Sequence, residues 1–297
     1  MARPAHVMHI SDDENGLHPE MGRERYDELK RVNWSTLKEM GRSPAHYQHR
    51  LKTPREDSDA MLLGRCVHLA VLEPERFRGE VEVWEGGTRR GKEWDAFRDA
   101  NASKEILRQP DYFRCLAIQR AVRETDAAER YLEGGPSELT VLWTHVAEAI
   151  GGLPGYRIDM KGRLDFDAVG AITDLKTCRD ASPEGFGRTA YQLGYHRQAA
   201  IYADGYFAAT GKRKPYVLLA VESEPPHAVQ VYRVPDELLE MGRQEYRALL
   251  DRLHVCRRDG VWPGYAEGEM ALELPHWAMP SDDDSDLSET GLTFQEA

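Results

Sequence analysis

Apolar residues recur along this 297-residue chain with two spacings, and the order of those spacings predicts its architecture. In residues 59–76, Leu63, Val67 and Val71 stand at i, i+4 and i+8, which predicts a mostly buried helix ending near Pro74. Ahead of it, Ser35 reads as the N-cap of a helix stopped by Gly41 and Ser43-Pro44, and residues 45–51 as a short helix. Longer helical patterns cover 92–108 and 110–131, broken by Gly134-Gly135-Pro136. Asp180-Ala-Ser-Pro opens a short helix, residues 188–210 form a long one ended by Gly211, and Pro235-Asp236 starts a last one running to 258. Period-two runs predict strands over 79–84, 137–145, 159–169 and 171–177, the last three joined as a meander with its second turn at Gly170. Residues 216–222 (YVLLAVE) are apolar throughout, as in a strand covered on both faces, and 227–234 alternates beside it. Helices, meander, helix, then further strands predict an α/β (α+β) fold with a central mixed β-sheet flanked by helices. The domain reading is a weakly ordered arm over 1–30, one domain over 31–275 and a disordered acidic tail over 276–297.

Composition narrows this picture. The net charge of −12 argues against a general, high-affinity DNA-coating protein, and any phosphate-binding surface must be a local patch. Half of that charge comes from the last 17 residues, where Asp282, Asp283, Asp284, Asp286, Glu289 and Glu296 stand with no Lys or Arg. No apolar run approaches the roughly 18 to 20 residues of a membrane span, and the N-terminus lacks a signal-peptide core. The expectation is a soluble cytoplasmic protein with no membrane partner. Cys66, Cys115, Cys178 and Cys256 are far apart and form no CxxC pair. That disfavours a zinc ribbon or a disulfide framework and predicts buried free thiols.

The candidate chemistry lies between Lys161 and Gly205. Asp165 and Asp167 share one face of their strand, and Asp174 and Lys176 share one face of the next. A tight turn at Gly170 sets Asp165 and Asp174 opposite each other, where both can ligate one magnesium ion. Such an ion activates a water and neutralises charge on a phosphate ester, and Lys176 stands where it can orient the nucleophile or stabilise the transition state. Gln198 and Tyr202 share a helix face at i, i+4, with Tyr195 and His196 as lesser candidates. Arg65, Lys161, Arg163, Arg179, Arg188 and Arg197 are the nearby cations available to DNA phosphates.

These motifs resemble a family. GRLDFD, ITDLKT and YHRQAAIY are similar to the PD-(D/E)XK nuclease superfamily, and within it to the RecE-type exonuclease (exonuclease VIII) branch, which is often phage-borne. LLGRCVHLAVLEPERF resembles that branch's Gly-x-x-x-His helix, Ser43 to Tyr47 a short upstream motif, and Trp262 to Tyr265 its closing loop, so the likeness spans about 33 to 265. The resemblance implies a restriction-endonuclease-like core with His68, Asp165, Asp174 and the Leu175 carbonyl as metal ligands. Lys176 becomes the catalytic lysine, Glu138 an acid contacting metal or water, and Gln198 and Tyr202 substrate contacts. It implies a Mg²⁺-dependent exodeoxyribonuclease, with Mn²⁺ as a substitute, acting 5′→3′ on double-stranded DNA ends. The 3′ strand left behind serves recombination through a single-strand annealing protein or recombinase, and the enzyme forms a ring-like homo-oligomer. A structure-specific endonuclease and a non-catalytic DNA-binding module remain as alternatives. The sharpest structural expectation is that His68 and Asp165 lie close together.

Overall fold

The computed structural model describes residues 14–53, 57–149, 155–265 and 268–273. In chain order the first half comprises β1 (Gly16–His18), α1 (Arg23–Glu28), α2 (Trp34–Leu37), α3 (Pro44–Lys52), α4 (Asp59–Leu72), α5 (Pro74–Glu80), β2 (Val81–Trp84), α6 (Lys92–Ala100), β3 (Glu105–Arg108), α7 (Gln109–Arg123) and α8 (Asp126–Glu129). The second half comprises β4 (Ser137–Ala147), β5 (Tyr156–Asp167), β6 (Ile172–Cys178), α9 (Pro183–Leu193), α10 (Tyr195–Thr210), β7 (Tyr216–Glu222), β8 (Val229–Val234) and α11 (Asp236–Asp259). Six strands form one mixed sheet in the order β1-β4-β5-β6-β7-β8. Strands β4, β5 and β6 are the expected antiparallel meander, while β6 and β7 are parallel. A parallel pair needs a long crossover, and here α9 and α10 supply it.

Alternation along β7 shows why helices cover both faces. Tyr216, Leu218 and Ala220 pack into a core layer with α10 and α11, whereas Leu219 and Val221 pack into the opposite layer with α4 and α7. All five side chains are at most 5% exposed, as the unbroken apolar run predicts. All four cysteines are free and buried, and burial pushes the Cys66 and Cys115 thiols up to about 12.

Four expectations are corrected. The helix over 92–108 stops at Ala100, because the Asn101 amide donates to the Phe97 carbonyl and ends it; residues 105–108 instead pair with β2 as a parallel strand. The helix over 188–210 breaks at Gly194, which takes a left-handed conformation (φ 70°, ψ 38°) that glycine adopts without penalty. Asn33, rather than Ser35, caps α2, its side-chain oxygen accepting from the Thr36 amide. Residues 14–30 are not a loose arm. β1 pairs with β4, and Met21, Tyr26 and Leu29 bury themselves against Leu142. The expectations for residues 1–13 and for the acidic tail lie outside the described residues.

Candidate active site

The site forms where β4 and β5 change phase. Leu139 of β4 and Leu164 of β5 face the α10–α11 layer. Two residues away, Phe166 faces the α4–α7 layer, and the Ser137 hydroxyl donates to Glu73 Oε1 on that same side (2.6 Å). Residues two apart on a strand ordinarily share a face, so both strands shift phase between these positions, at Glu138 and Asp165. Those two residues are opposite in the register, flanked by Ser137↔Phe166 and Leu139↔Leu164, yet drop out of the ladder themselves. Glu138 adopts φ 51°, a left-handed conformation that costs a residue of this kind about 1–3 kcal/mol.

On its other edge β5 leaves β6 almost at once. Only Phe166↔Thr173 and Asp167↔Ile172 pair before the strands diverge. Farther along, Val32 occupies the freed edge of β5, donating to the Asp159 carbonyl and accepting from the Lys161 amide (2.9 and 2.8 Å). The Asp165 carboxylate lies between, its Oδ2 accepting from the Leu175 amide at 2.8 Å. The turn at Gly170 thus makes the expected antiparallel pair, but Asp165 is set by a broken ladder rather than a regular one.

Into this opening α4 delivers His68, whose Nδ1 lies 3.6 Å from Asp165 Oδ2. His68, Glu138 and Asp165 each offer one ligand atom, all within 4.8 Å of one another. The Leu175 carbonyl faces the His68 ring. Burial lowers the His68 pKa, which keeps a lone pair free at neutral pH. Burial, reinforced by the nearby Asp174, raises the Asp165 pKa well above the usual carboxylate range. A carboxyl so placed exchanges its proton readily for a cation.

On the α10 side, Asp174 and Lys176 project from β6 as a pair, with Lys176 Nζ 2.9 and 2.8 Å from the two Asp174 oxygens. Lys176 also donates to Gln198 Oε1 at 3.2 Å and stands 4.8 Å from the centre of the Tyr195 ring. Burial acts to lower its pKa, but the two aspartates overcome that and raise it. The two aspartates thus favour the charged form of Lys176. Asp174 is 1% exposed, and the buried Tyr216 side chain stands beside it. Tyr216 was not legible as a site residue because it opens an apolar strand and reads as core.

The Tyr202 ring lies against Gly162, where a β-carbon would come 3.1 Å from it, and its buried side chain stands near Gln198, Asp174 and Asp165. Other expected residues are engaged elsewhere. His196 is buried against Glu245 (3.2 Å). Asp167 is held by Lys214 (2.5 Å) and Tyr206, away from the opening. Of the six nearby cations, four are committed internally. Lys161 is 4% exposed and donates to the Tyr26 and Leu29 carbonyls (2.5 and 2.9 Å). Arg65 is forked onto Glu105 and also reaches Asp57, Arg163 holds Glu138, and Arg197 holds Glu245. Arg179 and Arg188 are exposed, Arg188 pairing with Glu184.

Two carboxylates and an imidazole converging within 4.8 Å, beside the buried Asp174–Lys176 pair, suit a divalent metal ion. A crystal structure from Eubacterium rectale, of a protein provisionally described as an exonuclease, is similar with a TM-score of 0.56 and 16% identity, covering 86% of this chain and 96% of that one. That likeness extends to the fold. The crystal structure of SSO0001 matches at a TM-score of 0.31 and 12% identity, over 75% of this chain and 77% of that one, too distant in shape to carry an argument. No protein of curated function matches the sequence significantly. The model of the PDDEXK-like domain of unknown function (DUF3799) matches residues 33–273, most of the chain. The motifs, the split sheet and that match lead to one conclusion: the chain belongs to the PDDEXK-like domain family.

Proposed function

We propose that this protein is a divalent-metal-dependent deoxyribonuclease that hydrolyses phosphodiester bonds in DNA. The observation that carries the reading is the convergence of His68, Glu138 and Asp165 beside the Lys176–Asp174 pair, in the opening between β5 and β6. His68, Glu138, Asp165, Asp174 and the Leu175 carbonyl would hold Mg²⁺, with Mn²⁺ as a substitute that imidazole tolerates better. When bound, the ion supplies Lewis-acid stabilisation of phosphoryl oxygens and a more acidic water. The residues of the chain do the rest. Lys176, kept charged by Asp174, stabilises the negative charge that grows on the phosphate in the transition state. Gln198 fixes the Lys176 ammonium, and the Tyr195 ring favours its charge from below. Arg179 and Arg188, exposed just past β6 and on α9, are the nearby cations open to backbone phosphates.

Within this reading the finer assignment is a 5′→3′ double-strand exonuclease of the RecE-type branch, acting at DNA ends as a ring-like homo-oligomer. It leaves a 3′ strand for an annealing protein. The motif resemblance supports it. Linear duplex labelled at either end, with and without Mg²⁺, tests activity, metal need and polarity together. Release of 5′ label first, only with metal, is the expected result. Asp174→Ala and Lys176→Ala should each cut the rate by about 10²–10³-fold, a loss typical of removing one strong transition-state contact, with the fold retained by circular dichroism and the melting temperature lowered because the partner charge is left unpaired. Native-rate digestion by either folded variant refutes the site. A structure-specific endonuclease is the second reading, and nicking of covalently closed circular DNA would select it.

A further inference from the structure

The strained acid Glu138 is held by Arg163, and that cation is tied to the N-terminal segment. Arg163 Nε donates to Glu138 Oε2 at 2.6 Å. Its Nη1 donates to the Met21 carbonyl at 3.0 Å and to Thr140 Oγ1 at 3.2 Å. The side chain is 13% exposed, so three partners and the surrounding wall fix the guanidinium plane. Met21 in turn is 7% exposed and packs with Tyr26, Leu29 and Leu142. Arg163 stands two residues before Asp165 on β5, still paired with Thr140 just ahead of the place where the alternation changes phase.

We infer that Arg163 is a positioning residue: it fixes the Glu138 carboxylate in the geometry that a divalent cation requires, using residues 14–30 as its anchor. The inference rests on the reading of Glu138 as a metal ligand. A free glutamate loses side-chain entropy when a cation orders it. Here one Glu138 oxygen is already engaged by Arg163, so the carboxylate meets the cation with its rotamer set. Arg163 also brings a positive charge near the cation, which by itself disfavours binding. The two effects are separable, because Arg163→Lys keeps the charge and loses the planar fork that joins Glu138, Thr140 and Met21.

The test is a double-mutant cycle read by calorimetric titration with MnCl₂ alone, on full-length protein, with melting temperature followed in parallel. Partners that orient a ligand in this way are worth about 10–100-fold in metal affinity. Arg163→Lys is therefore expected to weaken Mn²⁺ binding by about tenfold in the native background, and to change it by less than about twofold in a Glu138→Gln background. Equal weakening in both backgrounds would mean that Arg163 acts through the fold at large, and would overturn the inference. So would unchanged affinity in the native background. If Glu138→Gln leaves Mn²⁺ affinity at the native value, Glu138 is not a ligand; the metal-site reading and the inference then both fail, whereas the other two outcomes spare the former. Arg163→Met is the second variant should the lysine form misfold, with the same non-additivity expected and the same additivity excluding it.

Discussion

Glu138 concentrates the cost of this site in one residue. Its φ of 51° is unfavourable for any side chain but open to glycine. Replacing it by Ala or Gly removes the carboxylate alike, so the difference between the two variants isolates the backbone. In an ordinary strand Gly is the less stable by about 0.5–1 kcal/mol. Here Glu138→Gly should be more stable than Glu138→Ala by about 1 kcal/mol, and urea unfolding of the pair measures it. The ordinary order would show that no strain resides there. Asp165 gives a second residue-scale expectation. Its folded pKa is raised, so its contribution to stability is full below the unfolded carboxylate pKa and is lost as pH rises through the folded value. A bound divalent cation takes the ionised form and reverses that loss. The rise in melting temperature on adding Mn²⁺ should therefore be small at pH 5.5 and grow toward pH 8; a rise that does not change with pH would contradict the exchange of proton for metal at Asp165. Asp165, Asp174 and Lys176 were legible as a candidate site because acids and a lysine on neighbouring strands are unusual chemistry between apolar flanks, whereas His68 entered only through the resemblance, since one histidine on an apolar helix reads as core. The strain at Glu138 was not legible, since φ depends on how two strands twist past each other, and Tyr216 was not, since its hydroxyl is hidden in a strand that reads as core.

At the level of elements, what the chain announced was periodicity, and what it concealed were breaks within a period. The strand over 216–222 and the helix from Asp236 appear almost residue for residue, because each carries an unbroken pattern between turn residues. The kink between α9 and α10 was hidden, since Gly194 interrupts the backbone without interrupting the apolar stripe. That kink matters: it lays Tyr195 under Lys176 and starts the helix that carries Gln198. The seat of α10 depends on close approaches that only glycine allows. A β-carbon at Gly242 of α11 would fall well inside contact distance of the His196 carbonyl, and one at Gly205 would meet the Trp143 ring at 2.8 Å. The His196 carbonyl is backbone and cannot turn aside, so Gly242→Ala must push α11 off α10. It should lower stability by about 1–3 kcal/mol, as overpacking does, and reduce nuclease rate through displaced Gln198. Gly64, whose added β-carbon would reach nothing closer than 4.0 Å, is the control: Gly64→Ala on α4 should leave stability unchanged or improved.

For the molecule as a whole, residues 14–30 change meaning from an appendage to part of the core. Composition made them look like an arm because their apolar residues are sparse: Met21, Tyr26 and Leu29 are spaced too widely to show a face. Their value lies in what they cover. The segment closes the sheet edge as β1, buries three apolar side chains against Leu142, and supplies the carbonyls that satisfy two buried cations of β5. Lys161 depends on it most. Burial pulls the Lys161 pKa down, and its Nζ is surrounded by the Tyr26 and Leu29 carbonyls and by the Tyr26 ring at 4.4 Å. Removing residues 1–30 would uncover three large side chains worth about 1.5–3 kcal/mol each, strip Lys161 of its carbonyl acceptors and take one of three from Arg163, a combined loss of about 5 kcal/mol or more. That is comparable to the whole stability of many domains, so the truncated chain should unfold or aggregate rather than survive as a smaller nuclease. A truncation at residue 30 that stayed folded, with Mn²⁺ affinity intact, would show that the site stands without its anchor. Lys161→Met with residues 14–30 in place gives the finer measure. Here the cation and its acceptors are separated without loss of the apolar cover. The carbonyls of Tyr26 and Leu29 lose their donor, and a loss of about 1–3 kcal/mol in urea unfolding is expected.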